Sequence, residues 1–575
     1  MKKYYRFLAT VLSVVLVLST LAACKKDDGG GTAGSGTAGG SSGAPTELTQ
    51  EALDEVGLEL VDGKYRFKEM KEITVEIFDR GQDDGKTTPE NNYWTDWIKE
   101  GVLEDHNISV TFVAVPRWTE SDDINNLLAS ETAPDVCVTY NIAAVNQYAA
   151  MGGVVDISEL VYDYKPALMN MYNLLEDFNI WFNQDPETGA LYAIETLAAN
   201  TAQINTYVRE DWLAKLNLEE PTTLEEFEDV LIAFRDNAET LLGADADQMI
   251  PFALSQDVAW RAYNLLHSFF PDDITDKDLY VYGFDDRGFS MPYIKEGVRI
   301  LNKWYNEGLI WKDFALYGDG DTTEDQLMKN GYIGAWEQSY DLPYRDGANG
   351  ITAMMHELIG PDATYIAIEP FLNDAGVPKK YVKGRFDRKI FFPMTNDEPL
   401  ASLLYVDWIS APENQEFLQI GEEGVHHEVT AEGAIRSLTD KSEKIMNSAL
   451  NIDYTITING LTFQNDDEKT NASRALAFPE VDPVYPIRSM EVNANHAFSP
   501  APVNLGTVAS EEGMATPLAD ERDRILAQTI IVPVADFDAT WDKEYANYLS
   551  MGGQKIIDER TELWEAAYGD STSRN

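Results

Sequence analysis

The stretch that decides the fold is residues 73–115, ITVEIFDRGQDDGKTTPENNYWTDWIKEGVLEDHNISVTFVAV. Its two ends, ITVEIFD (73–79) and ISVTFVAV (108–115), have the short β-branched and aromatic pattern of strands. The polar and aromatic run between them, NNYWTDWIKEGVLEDH, reads as a helix, so the unit is strand, helix, strand. The pattern repeats downstream. TESDDINNLLASE predicts a second helix, DVCVTY (135–140) a third strand, and NIAAVNQYAAMGG a third helix closed by glycine. A β-α-β-α-β-α series predicts a mainly parallel sheet covered by helices. In such sheets ligands approach the carboxyl ends of the strands, here the loops that carry Asp79, Arg80, Arg117, Trp118, Tyr140 and Asn141.

Upstream, Lys2, Lys3 and Arg6 precede the apolar run FLATVLSVVLVLSTLAA, which has the charged start, hydrophobic middle and small-residue end of a secretory signal. At about 17 residues the run is short for a membrane span, which takes ~20. LAAC (21–24) looks like a bacterial lipobox. In that reading residues 1–23 are removed and Cys24 carries lipid, more than one acyl chain being needed for stable anchoring. From Gly29 to Gly43 almost every residue is Gly, Ser, Thr or Ala, a composition that buries nothing. Residues 24–46 are therefore expected to be a lipidated cysteine and a flexible tether.

The remaining chain is long enough for a sizeable core. There are 2 cysteines, so with Cys24 lipidated no intrachain disulfide is expected, and Cys137, in its strand-like run, reads as a small buried hydrophobe. The 98 acidic residues against 44 basic give a formal charge of -54, which disfavours nucleic acid and anionic polymers in general. Aromatic residues at 11% argue against a disordered acidic chain.

Further along, Thr223 and Glu226 form a capping-box pattern, followed by an apolar stripe of Leu224, Phe227, Leu231 and Phe234 at helical spacing. The carboxyl end, FDATWDKEYANYLSMGGQKIIDERTELWEAAY, reads as two helices separated at Gly552 and Gly553, with Trp541, Tyr545 and Tyr548 on one face.

Four segments together resemble the large bacterial extracellular solute-binding lipoproteins that deliver oligosaccharides to ABC importers. They are PDVCVTYNIAAVNQYAAMGGVVDISEL, VREDWLAKLNLEEPTTLEEFEDVLIAF, YVDWISAPENQEFLQIGEEGVHHEV and DFDATWDKEYANYLSMGGQKIIDERTELWEA. The resemblance implies an α/β, two-lobed periplasmic-binding-protein-like fold of type II, with a mainly parallel sheet in each lobe, a hinge, and a ligand cleft between the lobes. It places lobe 1 at 65–195 and 340–395 and lobe 2 at 196–339 and 396–575. Crossings are expected near LYAIET (191–196), GYIGAWEQSY (331–340) and FPMTNDEP (392–399). It further implies permease subunits as partners, attachment to the membrane through the lipid, a monomer, no nucleic acid, no cofactor, and residence on the outer face of a Gram-positive cell membrane.

Many relatives hold a calcium-type loop where this chain has RDNAETLLGADADQMIPF. Asp245, Asp247 and the closing Ile250-Pro251 remain while the Asn-Gly turn is missing, and two aspartates fall short of the six to eight oxygens calcium takes; no metal site is assigned. YGDGDTTED (317–325) lacks the full spacing of a metal loop and reads as a solvated acidic loop. In the VHHEV segment, His427 replaces a tyrosine of the family pattern, and the segment reads as scaffold.

A sugar offers hydroxyls at its edge and C–H groups on its faces, so a binder needs flat aromatics and side chains that make several hydrogen bonds. Placement selects Trp94 and Trp118 in first-lobe loops, Trp260 after ALSQDVA, and Trp336 at an expected crossing. Trp97, Trp212, Trp304, Trp408 and Trp541 sit in apolar helical stripes and read as core, and Trp94 fits either role. Arg80, Arg117, Tyr140, Glu195, Arg261 and Glu337 are the hydrogen-bonding candidates. The competing classes are a surface-anchored glycoside hydrolase and a carbohydrate-binding adhesin or sensor. Among 98 acidic residues no carboxylate pair stands out, and G-x-S-x-G, H-E-x-x-H, Walker A and G-x-G-x-x-G patterns are missing from the sequence. The reading is a binder and not an enzyme.

Overall fold

The computed structural model describes residues 47–574 apart from 82–86, 199–203, 286, 319–321, 345–348, 370, 374, 381–385, 430–434, 439–452, 460–480, 483 and 496–501. The signal, Cys24 and the tether lie outside the described residues.

The first lobe opens with a hairpin of β1 (Leu58–Val61) and β2 (Lys64–Phe67), turned at Asp62 and Gly63, both with positive φ (51° and 83°). β3 (Lys71–Asp79) then pairs in parallel with β4 (Ile108–Pro116) along its whole length, and the connection is the expected helix, Tyr93–His106. That helix starts where Asn92 accepts the Trp94 and Thr95 N–H groups at 2.9 and 3.2 Å while Thr95 Oγ1 accepts the Asn92 N–H at 2.9 Å. Gly101 is required inside it: a Cβ there would stand 2.5 Å from the Trp408 ring. β5 (Cys137–Thr139) continues the series, Val136 bridging Val75 in parallel, and β6 (Ile194–Ala198) leads out of the lobe.

The second lobe contains β7 (Ile204–Arg209), β8 (Ile250–Phe252), β9 (Ile333–Ser339) and β10 (Tyr365–Ile368) in the order β10-β7-β9-β8. Helix Leu224–Asp236 has the expected capping box, and its Phe227, Leu231 and Phe234 are fully enclosed with Phe252, Leu301, Trp304, Ile525 and Trp541. The chain returns on β11 (Phe386–Phe391), runs through helices Pro399–Ser410 and Pro412–Ile420, the pair β12 (His427–Val429) and β13 (Ile435–Ser437), and reaches β14 (Ile458–Asn459). It then goes back to the second lobe, where helix Val484–Ala494 contributes Val492 to a core with Tyr207 and Tyr365. Helices Phe537–Tyr548 and Gln554–Tyr568 finish the chain, separated at Gly552 and Gly553 as expected.

The two-lobed α/β class holds, and within it the sheets are mixed. In the sheet β14-β6-β11-β5, β11 runs antiparallel to both β6 and β5, while β14 is parallel to β6. In the other, β7 runs antiparallel to β10 and β9, and β8 is parallel to β9. The antiparallel pairs follow from the crossings. The chain leaves the first lobe on β6 and comes back on its neighbour β11; it enters the second lobe on β7 and leaves on its neighbour β10.

These pairings also draw the division between lobes differently from the sequence expectation. β10, expected in lobe 1 with 340–395, pairs with β7 of the second lobe. Helix Pro399–Ser410, expected in lobe 2 with 396–575, is buried from Leu400 to Ser410 in the first core, against Leu168, Met171 and Leu175. The crossings run between β6 and β7, β10 and β11, and β14 and helix Val484–Ala494. GYIGAWEQSY is interior to the second lobe as β9, and FPMTNDEP is interior to the first.

Candidate ligand-binding site

Three loops at the carboxyl ends of β3, β4 and β5 meet in the first lobe. They are stitched by Glu120, whose carboxylate accepts from Thr139 Oγ1 at 2.9 Å and the Tyr140 N–H at 3.1 Å, and by Asn141 Nδ2 donating to Ser121 Oγ at 2.9 Å. Burial raises the Glu120 carboxyl, and those two donors oppose the rise. Arg80 is forked onto the enclosed Asp453, with Nε to Oδ2 at 2.6 Å and Nη2 to Oδ1 at 3.0 Å. The Arg117 guanidinium lies 4.2 Å from the Tyr140 ring centroid, 5.2 Å from that of Phe78 and 5.4 Å from that of Trp118. Arg80 approaches Trp118 at 5.8 Å. Phe78 and Tyr140 stack at 6.1 Å, and burial, then the nearby Asp387 charge, push the Tyr140 phenol up to about 12. Trp118 itself is 62% exposed. The loops thus bring Arg80, Arg117, Trp118 and Tyr140 together as one cationic and aromatic surface.

A second surface forms in the other lobe around Trp260. Asp257 Oδ1 accepts the Trp260 N–H at 3.2 Å, the indole N–H donates to Gln338 Oε1 at the end of β9, and the Arg287 guanidinium sits 4.4 Å from the ring. Nearby, Trp311 and Tyr317 stack at 4.8 Å with planes 5° apart, the Tyr317 carbonyl accepting the Gln256 N–H at 2.9 Å. Sequence reasoning missed that pair, because five residues, including the short turn Phe314–Leu316, separate its members and no periodicity marks them. It also missed a cavity of about 330 Å³ where first-lobe Phe178, Trp181 and Phe182 meet Val503, Asn504 and Tyr568 of the second. Asn504 Nδ2 ties the two sides by donating to the Phe182 carbonyl at 2.7 Å.

The other candidates belong elsewhere. Trp94 is enclosed by Phe417 at 5.5 Å and His426 at 4.8 Å, and Trp336 by Tyr207 at 4.4 Å and Tyr365 at 5.4 Å. Neither presents a face to solvent. Trp336 is in the core because β9 is an inner strand covered on both faces, and its glycine serves packing: a Cβ on Gly334 would meet Phe234 at 2.5 Å. Glu337 is fully enclosed, accepting from the Asn264 N–H at 2.8 Å and from the Thr206 hydroxyl at 3.1 Å; burial lifts its carboxyl to about 8. Arg261 pairs with Glu324, both buried. Glu195 accepts from Asn183 at 3.0 Å and pairs with Lys389 at 3.2 Å across β6 and β11.

Asp245 and Asp247 are exposed in a single irregular turn, Gly243–Gln248, and among the described residues no group of three or more His, Cys, Asp or Glu is arranged to hold a metal ion. Of the acidic loop 317–325, residues 319–321 lie outside the described residues. His426 Nδ1 accepts the Glu422 N–H at 2.9 Å and His427 Nδ1 lies 3.0 Å from the Ile420 carbonyl, so both rings brace the loop they sit in.

Residues 97–417 match the family described as bacterial extracellular solute-binding protein. The chain is 23% identical over 532 residues to the polygalacturonan/rhamnogalacturonan-binding protein YtcQ of Bacillus subtilis, covering 85% of this chain and 95% of that one. Among solved structures, the alginate-binding protein AlgQ2 without calcium superposes with a TM-score of 0.60 at 16% identity, covering 87% of this chain and 98% of that one. The substrate-binding protein FusA of S. pneumoniae in complex with kestose does so with a TM-score of 0.58 at 14% identity, covering 87% and 100%.

Proposed function

We propose, on the premise that this chain belongs to the bacterial extracellular solute-binding proteins, that it captures an oligosaccharide between its two lobes and delivers it unaltered to the permease of an ABC importer. The observation that carries the reading is Trp118, a large indole left exposed at the carboxyl ends of three strands and flanked by Arg80, Arg117 and Tyr140. A flat aromatic face beside fixed donors matches what a sugar ring offers, C–H groups on its face and hydroxyls at its edge. Trp260, with Arg287 beside it, supplies the corresponding surface of the second lobe. The named ligands of relatives that share the fold over most of their length, polygalacturonan, alginate and kestose, support a saccharide over other solutes.

Binding without turnover fits the state of the enclosed carboxylates considered for the site. Glu195 and Glu337 are each committed to internal partners, so neither is poised as one of the matched pair a glycosidase needs. In this reading Cys24 holds a monomer on the outer face of the membrane by its lipid, the tether letting the lobes reach the permease. Among the described residues no helix is long and apolar enough to cross a membrane.

The test is thermal unfolding of the mature chain across a panel of oligosaccharides. A ligand that binds only the folded state at a hundred times its Kd adds about 2.7 kcal/mol of stability. At least one saccharide should raise Tm, and Trp118→Ala should abolish that rise. A panel that leaves Tm and tryptophan fluorescence unchanged contradicts the proposal. Replacing Cys24 with Ser should release the protein from the membrane fraction, and retention would contradict the lipid anchor.

A further inference from the structure

We propose that Arg117 reads a carboxylate on the bound sugar, so that the ligand is an acidic oligosaccharide containing uronate residues. This rests on the oligosaccharide reading above and narrows it. Two guanidiniums approach Trp118, and their circumstances differ. Arg80 is charge-matched by its fork to Asp453. Arg117 has no carboxylate within ion-pair distance among the described residues, and its Nε is buried without a hydrogen-bond partner. Glu120, three residues on, feels the Arg117 charge but forms no ion pair with it, its carboxylate being engaged by Thr139 and the Tyr140 N–H.

A half-buried guanidinium without a directly paired carboxylate is a cost to the folded protein. The rings of Phe78, Tyr140 and Trp118 hold it in place, each within cation–π range, without supplying an acceptor. The group that completes the site is therefore an anion able to accept two parallel N–H donors, and the carboxylate is the one that uronate sugars carry. Trp118 offers its exposed face to a sugar ring next to that cation. In a chain with a surplus of 54 negative charges, an unmatched arginine at the carboxyl ends of three strands is a local exception to the field around it. A neutral sugar offers that guanidinium hydroxyl acceptors alone, and a uronate adds the opposite charge.

The experiment measures, by calorimetric titration of the full mature chain, the affinities of trigalacturonate, its methyl ester and maltotriose. The ester keeps the shape and removes the charge. The acid should bind at least about tenfold tighter than its ester, the range of a hydrogen-bonded charge with water excluded. Arg117→Met, which keeps the apolar stem against the rings, should bring acid and ester to within about threefold of each other. Arg117→Lys should fall between, retaining the charge and losing the fork. Equal binding of acid and ester by the native chain, or an equal loss of both in Arg117→Met, overturns the inference and leaves oligosaccharide capture standing. If no saccharide binds the native chain, here or across the wider panel, both fall. Should Arg117→Met fail to fold, the acid-to-ester ratio of the native chain and of Arg117→Lys still decides.

Discussion

Trp118, read from the sequence as a first-lobe loop residue, and Trp336, read as lying at a crossing, are separated by their surroundings. Trp336 is enclosed between Tyr207 and Tyr365, so Trp336→Ala should cost about 3–5 kcal/mol in urea unfolding, as large aromatic truncations in cores do. Trp118 covers little of the protein, so Trp118→Ala should change stability by less than about 0.5 kcal/mol while removing saccharide binding. The reverse pattern would contradict the assignment of the two rings. Glu337 gives a pH test. Burial lifts its carboxyl from 4.5 to about 8, so the folded protein keeps a proton that the unfolded chain gives up across that window. Its contribution to stability is full below about pH 4.5 and is lost as pH rises toward about 8. Glu337→Gln should therefore show a smaller fall in Tm between pH 5 and pH 8 than the native chain; an unchanged slope would show that the group does not carry the proton.

At the scale of elements, helix Tyr93–His106 depends on Gly101, where a Cβ would press into the Trp408 ring. Gly101→Ala should destabilise by about 1–3 kcal/mol, the usual cost of overpacking, despite alanine's better helix propensity. A gain in Tm would show that the ring moves freely. Thr223→Ala removes the side-chain half of a capping box and should cost about 1 kcal/mol in the same measurement. Both elements were legible in the sequence because their signals are local: a cap, a period, a glycine. That Arg80, Arg117, Trp118 and Tyr140 come together on one surface was legible as well, since they follow strands that end on the same side of the lobe. What failed was set by partners far away in the chain. β9 reads as an exposed crossing until β7 and β8 cover its edges, which is why Trp336 and Glu337 were misplaced. Helix Pro399–Ser410 is buried on every side, so its mostly apolar sequence has no period to show which core it enters. The stacked Trp311 and Tyr317, the cavity at Phe178 and the ring-held Arg117 guanidinium exist only in three dimensions.

At the scale of the molecule, three crossings join the lobes, and side-chain bridges add to them: Asn504 to the Phe182 carbonyl, and Gln147 Nε2 to Glu512 Oε1 at 2.6 Å. A clamp of this kind closes by rotation about its crossing segments, so saccharide binding should reduce the radius of gyration in small-angle scattering. Each lobe contributes one aromatic and cationic surface, and capture follows when both reach the same ligand. The most direct measurement is equilibrium dialysis of the mature chain against a labelled oligosaccharide panel, followed by mass spectrometry of the sugar recovered from the protein side. The account predicts that at least one saccharide is retained in a one-to-one complex and comes back at its original length. Retention of none, or recovery of shortened chains, would contradict it.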